Sequence, residues 1–374
     1  MSPNRTKDPI QFLPKLLEAA LSGDRRRLEL LALTAIRALK SEYPNVSAEL
    51  GAILASANGQ VNPTRGRSQQ PAPSDSDIGL ALVQVLTPDI APEPVLPPSL
   101  HDRVYRFLNE RIHSRALLSE GFSPPGLILL KGAPGTGKTM LARWLAHRLD
   151  LNLVILDLST SISSFLGKTG NNLRRSFDYA RSGPCVLLLD EFDAIAKRRD
   201  DETEVGELKR IVNVLLKEME NWPMHSVLVA ATNHPELLDP AIHRRFDVVL
   251  DIPVPGQAER TSIIIQSCGR FGSDAPTGLV SALSTVYAGS SGSEIETEMR
   301  AMIRKHLLDN TPLEQCFLDE IRSKLPTRAN KKYIGSIIRS LRDDTKLTVR
   351  GIAEIVGLSS TAVQHHLNKD KEDG

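Results

Sequence analysis

Apolar residues recur at helical spacing from Ile10 to Leu54: Phe12, Leu13, Leu16, Leu17 and Ala20, then Leu28, Leu31, Ala35, Ile36 and Leu39. Such stripes need a partner surface, so the stretch predicts a small helical hairpin or three-helix unit. From Asn58 to Asp77 the chain turns to Gln, Pro, Ser, Gly and Arg with little to bury, and a second proline cluster runs from Pro88 to Pro98. Both read as linker. Ser99 and Asp102 form a capping box ahead of Leu100, Val104, Phe107, Leu108 and Ile112, which predicts a helix from Ser99. The period then changes. Short apolar runs at Leu127 to Leu130, Leu153 to Leu156, Val186 to Leu189, Val227 to Ala230 and Val248 to Ile252 alternate with amphipathic stretches. That alternation predicts the α/β class, a parallel sheet with crossover helices on both faces. After Pro255 only helical runs remain: Ala258 to Gln266, Thr277 to Thr285, Glu294 to Leu308 and Leu313 to Ser323. The expected organisation is an N-terminal helical module (1–57), a linker (58–98), an α/β domain (99–255), a helical domain (256–326) and a C-terminal module (327–374).

Composition narrows the classes. The 374 residues suit two or three folded units at roughly 100 to 200 residues each. No apolar run approaches the roughly 20 residues that cross a bilayer, and the N-terminus has no apolar signal core, so the expectation is a cytoplasmic protein without membrane contact. Cys185, Cys268 and Cys316 are far apart and form no CxxC pair, which excludes a zinc module or disulfide framework. With 46 basic and 45 acidic residues the chain has no long-range pull on nucleic acid, and 4% aromatics are too few for a broad base-stacking platform.

The chemistry concentrates in a few runs. Gly132-Ala133-Pro134-Gly135-Thr136-Gly137-Lys138-Thr139, followed by Met140, fits the GxxxxGK[ST] phosphate loop between a strand and a helix. Glycines let backbone N–H groups converge on phosphate oxygens, the helix N-terminus adds its dipole, Lys138 reaches the terminal phosphates and Thr139 can ligate magnesium. Val186 to Leu189 ends in Asp190 and Glu191, two carboxylates that no buried strand needs for stability. Asp190 suits the Mg2+ shell and Glu191 suits polarising an attacking water.

Together with Ala230-Ala231-Thr232-Asn233 and Asp239 to Asp247, these motifs make residues 99 to 310 resemble an AAA ATPase, an α/β P-loop domain with a helical lid. The resemblance implies Mg2+-dependent ATP hydrolysis, with Asn233 as a sensor of the water and γ-phosphate. It implies arginine fingers at Arg244 and Arg245 that reach a neighbouring subunit's nucleotide, hence a homo-oligomer, by family a hexamer. The two arginines are adjacent here where many members space them three apart, and Arg245 is the safer assignment. Gly289 to Glu296 is similar to the family's lid stretch, which implies contacts to base and sugar from Gly292 and Ser293. Arg300 and Arg304, further along, read as a solvated face outside the site. Phe165-Leu166-Gly167 matches the loop that AAA rings project into a central channel to grip polypeptide, with Lys168 where relatives commonly carry an acid.

A second motif, Thr348 to Leu367, resembles a helix-turn-helix: Ala353 where helices cross, Gly357 at the turn, Ser359 as a cap, Val363 and Leu367 inward. Residues 327–374 hold nine Lys or Arg against six Asp or Glu, and Ser360, Thr361, Gln364, His365 and Asn368 suit base edges or phosphates. Two functions stay open. One is a remodeller or unfoldase of a protein substrate, resembling bacterial stand-alone AAA proteins, some of which are thought to work beside a subtilisin-like protease. The other is an ATP-controlled regulator or loader that reaches DNA through residues 348–368.

Overall fold

The computed structural model describes residues 9–22, 25–59, 73, 82–119, 122–163, 169–195, 205–220, 222–272, 275–325, 331–342 and 347–369. The expected gripping loop Phe165-Leu166-Gly167 lies outside the described residues. Two compact units are present, residues 1–69 and 70–374. In the first, helices α1 (Leu13–Leu21), α2 (Arg25–Leu39) and α3 (Pro44–Gly59) form the three-helix unit that the apolar stripes predict. Its small core holds Ala19, Ala32, Ala35 and Leu39, and the buried Ser47 hydroxyl donates to the Ile36 carbonyl at 2.9 Å.

The second unit is built on a six-stranded sheet. Its strands are β1 (Gln84–Leu86), β2 (Leu127–Lys131), β3 (Asn152–Asp157), β4 (Cys185–Asp190), β5 (Val227–Thr232) and β6 (Val248–Asp251), in the order β1-β3-β4-β5-β2-β6. The helices between strands are α4 (Pro98–Ile112), α5 (Ser114–Ser119), α6 (Lys138–Leu149), α7 (Leu158–Ser163), α8 (Thr169–Arg181), α9 (Val205–Glu220) and α10 (Pro240–His243). The strands β2 to β6 are parallel. Side chains alternate between faces along each strand. Ile128, Leu130, Val186 and Leu188 therefore enter a core with Leu100, Phe107 and Trp144, while Leu129, Leu187 and Leu189 enter a second core with Phe177, Leu215 and Trp222.

Two expectations on the N-terminal side are corrected. The stretch up to Pro98 is not linker throughout: β1 pairs antiparallel with β3, Leu82 and Val83 are buried, and Tyr105 donates to Glu93 at 2.7 Å. A three-residue strand inside a proline-rich run carries no periodicity to betray it, and its stability comes from the sheet edge it covers. Nor does Ser99 cap a helix. Helix α4 begins at Pro98 with Pro97 at the cap and no side-chain bond, because a proline in the first turn has a preset φ and no N–H to satisfy.

The remaining helices are α11 (Gln257–Ser267), α12 (Thr277–Val286), α13 (Gly292–Asp309), α14 (Leu313–Lys324), α15 (Lys331–Arg342), α16 (Val349–Val356) and α17 (Ser360–Lys369). Here the expected boundary at 326/327 is not a break in packing. Ile264, Leu283, Met299, Phe317, Ile338, Ile352 and Val363 belong to one continuous core, with α15 lying along α12. Among the described residues no helix is long and apolar enough to cross a membrane.

Candidate functional site

Strands β4, β5 and β2 are neighbours, so their carboxyl ends line up on one edge of the sheet. In a parallel sheet this edge is where the crevice for a ligand opens. A cavity of about 540 Å³ lies there, lined by residues 134 to 140, by Asp190, Glu191 and Asn233, and from the helical side by Gly292, Ser293, Glu296 and Arg300.

The phosphate loop is shaped by its glycines. Gly132 has φ +159°, and a Cβ there would strike the Ile252 carbonyl. Gly135, at φ +74°, faces the first turn of α13 so closely that a Cβ would strike Ser293 Oγ. Helix α6 then starts at Lys138. The Lys138 ammonium is buried and donates to the carbonyls of Gly132 and Ala133, each at 2.8 Å. Burial holds its pKa below the ordinary lysine value, opposed by the charges of Asp190 and Asp193.

Thr139 Oγ1 donates to Asp190 Oδ2 at 3.1 Å, so a hydroxyl and a carboxylate oxygen from two elements meet at the loop's end. Hard oxygens in this number suit a Mg2+ that takes its other ligands from water and phosphate. The cradle also suits a phosphate chain. Its glycines leave room that a Cβ would fill, and the ammonium has a third N–H beyond the two carbonyls that hold it.

Glu191 follows the end of β4 with φ +51°, a left-handed conformation that costs a non-glycine residue about 1 kcal/mol. Its N–H donates to Asp190 Oδ1 at 3.0 Å and its carbonyl accepts from Ala194 at 2.8 Å, which fixes the turn. The left-handed turn breaks the strand's alternation, and Asp190 and Glu191 therefore both line the cavity instead of pointing to opposite faces. Asn233 reaches the cavity from the end of β5, held by the fully buried Asp193, whose Oδ1 accepts from Thr232 Oγ1 at 3.1 Å and from the Asn233 N–H at 3.2 Å. Asp193, which also acts on the Lys138 charge, escapes a reading by motif because a carboxylate that braces a strand end has no set spacing from the loop.

On the helical side, Ser291 and Glu294 form a reciprocal capping box that starts α13. Ser293 N–H donates to the Gly135 carbonyl at 3.0 Å. Arg300 is exposed, as the sequence reading has it, and it also borders the cavity, ion-paired with Glu296 one turn earlier. Periodicity places it on a polar face but cannot tell that this face closes over the loop. Pro92, Val95, Ile263, Gln266 and Ser267 complete the wall, with Gln266 Nε2 donating to the Glu93 carbonyl at 3.0 Å. Pro92 and Val95 fall in the expected linker, and no motif marks them.

Arg244 and Arg245 stand apart from this cavity. Both are exposed and follow α10, just before Asp247 accepts from the N–H groups of Gly126 and Leu127 at 2.7 and 2.9 Å. Asp247 thus meets the amino end of β2, whereas Phe246 packs edge-on to Phe192, the residue after Glu191, with ring centres 6.0 Å apart, and neither arginine lines the cavity. Arg245 is ion-paired with Glu220, the last residue of α9, whereas Arg244 forms no ion pair among the described residues.

Residues 128–254 match the family model of the ATPase family associated with various cellular activities (AAA). The chain is 50% identical over 123 residues to an uncharacterised AAA family ATPase of Sinorhizobium fredii, covering 33% of this chain and 37% of the relative. It is 38% identical over 158 residues to the proteasome-activating nucleotidase of Methanosarcina mazei, covering 40% of this chain and 38% of the relative. With a 26S proteasome regulatory subunit homologue of Arabidopsis thaliana the identity is 37% over 154 residues, covering 39% of each. The chain therefore spans about two fifths of the length of these curated relatives.

Proposed function

We propose, with residues 128–254 being an AAA ATPase domain as the premise, that this protein hydrolyses ATP with Mg2+ as a ring of identical subunits and uses the energy to remodel a protein substrate. The observation that carries the reading is the convergence of Lys138, Thr139, Asp190, Glu191 and Asn233 on one cavity closed by the first turn of α13.

Each residue then has a physical task. Lys138 and the loop N–H groups bind phosphate oxygens, and burial keeps the lysine's field undiluted by water. Thr139 and Asp190 hold Mg2+, which neutralises phosphate charge when bound. Glu191 accepts the proton of the attacking water, and Asn233, fixed by Asp193, orients that water. Pro92, Val95 and Ile263 give the wall apolar surface, which suits a base, and Gly292 and Ser293 are the residues assigned to the sugar. Arg300 and its partner Glu296 add an ion pair to the wall from α13.

The arginines support oligomerisation. Arg244 and Arg245 are exposed and lie outside their own cavity, as arginine fingers that serve another subunit's nucleotide would be. The proteasome-activating nucleotidase and the proteasome regulatory subunit among the relatives support protein as the substrate class. Phe165-Leu166-Gly167 is the segment whose sequence suits gripping it.

The test is ATP turnover across protein concentration, with and without chelator, followed by unfolding of a fluorescent protein that carries an unstructured tail. Activity per subunit should rise with concentration and vanish with chelator, and Phe165→Ala should stop unfolding while sparing basal turnover. Constant activity per subunit would remove the ring; unfolding unaffected by Phe165→Ala would remove the threading step.

A further inference from the structure

We infer that helices α15 to α17 form a binding surface for duplex DNA, with α17 entering the major groove. The three helices pack on one another in every pair. Thr348 caps α16 by accepting from the Gly351 N–H at 3.2 Å, and Gly357 ends it in a left-handed conformation with φ +68°. Leu358 N–H returns to the Ala353 carbonyl at 3.0 Å, and Ser359 Oγ accepts from the Ala362 N–H at 3.2 Å at the start of α17. This is two helices joined by a tight glycine turn, braced by a third. Ile337, Ile338, Leu341, Ile352, Ile355, Val356 and Val363 are buried between them.

The outward face of α17 is hydrophilic in a particular way. Ser360, Thr361, Gln364, His365 and Asn368 are exposed. Gln364 Nε2 donates to Asn368 Oδ1 at 3.0 Å, which holds two amide side chains side by side with a carbonyl and N–H groups still available. Amides of this kind match the donor and acceptor pattern of a purine edge. A helix of ten residues is about 15 Å long and fits a groove about 12 Å wide.

Charge and apolar exposure select DNA over protein as the occupant. Helices α15 and α17 contain no acidic residue, α15 carries Lys331, Lys332, Arg339 and Arg342, and α16 carries the exposed Arg350 against one exposed acid, Glu354, which lies 3.9 Å from Arg322. In α13 and α14, on the same core, acidic residues outnumber basic ones. Among the described residues, no large exposed apolar side chain falls between 331 and 369, although such side chains occur at Leu307 and Leu308. A protein-docking face would need such anchors. A phosphate backbone needs the positive charge. Because α15 lies along α12 within one core, DNA held by α17 would be held by the same body that meets the phosphate loop through Ser293.

The experiment uses the full chain and a library of random-sequence duplexes of about 30 base pairs, each long enough for several possible sites. Repeated selection on wild-type protein should enrich a common sequence. The double variant Gln364→Ala, Asn368→Ala should lose about tenfold or more in affinity for it, as each bidentate base contact implies, with melting temperature and ATP turnover unchanged. Adding two charges instead, Gln364→Glu with Asn368→Asp, should abolish binding. Arg350→Ala should weaken binding equally across sequences and reduce the salt slope by about 1. No enrichment by wild type, or α17 variants that bind the selected duplex as wild type does, overturns the inference. So does a result in which these variants change the sedimentation of the protein and nothing else, which would make the face an interface between copies of this chain.

Discussion

Ser293 N–H donates to the carbonyl of Gly135 at 3.0 Å, so helix α13 begins against the GxxxxGK[ST] loop itself. The contact is tight enough that Gly135 has no room for a side chain, and its φ of +74° is unfavourable for any other residue. Gly135→Ala should weaken ATP binding by about tenfold or more, equivalent to at least ~1.4 kcal/mol, without loss of the fold. Truncating Ser293 to Ala in the same chain should recover only part of this, because the backbone strain remains. Titration with a fluorescent nucleotide and a thermal melt check both statements.

The wall formed by Pro92, Val95 and Gln266 makes a different demand. Gln266 anchors the Glu93 carbonyl and so holds the segment that carries Pro92 and Val95 in the wall. An interaction that binds ground state and transition state equally changes KM and leaves kcat alone. Gln266→Ala should therefore raise KM for ATP a few-fold at constant kcat. A fall in kcat with unchanged KM would contradict the assignment.

How far these features were legible in the residues follows their physics. That the GxxxxGK[ST] loop, Asp190, Glu191 and Asn233 would share one cavity was legible because each belongs to a run of particular residue types at fixed spacing, and β2 to β6 were legible because buried parallel strands are continuous apolar runs. β1, Pro92 and Val95 were not. Their stability comes from the sheet edge and the helix they cover, which no local pattern records. Arg300 is missed for a related reason: helical period gives its face but not what lies opposite. The left-handed Glu191 is a property of the strand's end and of the bonds made by Asp190 and Ala194.

Arg245 and Glu220 are each nearly half exposed, and exposed pairs contribute about 0 to 1 kcal/mol. Glu220→Ala should hardly move the melting temperature. Arg245→Ala should lower ATP turnover by roughly a thousandfold or more if the arginine acts as a finger. Mixing Lys138→Ala subunits with Arg245→Ala subunits should restore part of the activity, since the first supplies intact fingers and the second intact cavities. Absence of recovery in co-assembled rings would show that Arg245 does not act across subunits.

The three cysteines are buried, and burial pushes the Cys185 thiol up to about 12 and the Cys268 thiol to about 11, with Cys316 also raised. A raised folded pKa means the neutral thiol is favoured in the fold. The stability this represents is complete below the unfolded value of 9.0 and is lost as pH rises through about 12 for Cys185. Native protein at pH 8 should resist iodoacetamide at all three positions, and denatured protein should react at all three. Melting temperature should fall above pH 9, and Cys185→Ala should lessen that fall.

The central claim is that Lys138 and Glu191 divide phosphate binding from water activation in one cavity, and paired measurements of ATP affinity and ATP turnover test it most directly. Lys138→Ala should lose nucleotide binding. Glu191→Gln should bind ATP about as tightly as wild type while turnover falls by roughly a hundredfold or more, the usual contribution of a general base. Wild-type turnover in Glu191→Gln, or unchanged ATP affinity in Lys138→Ala, would contradict the account.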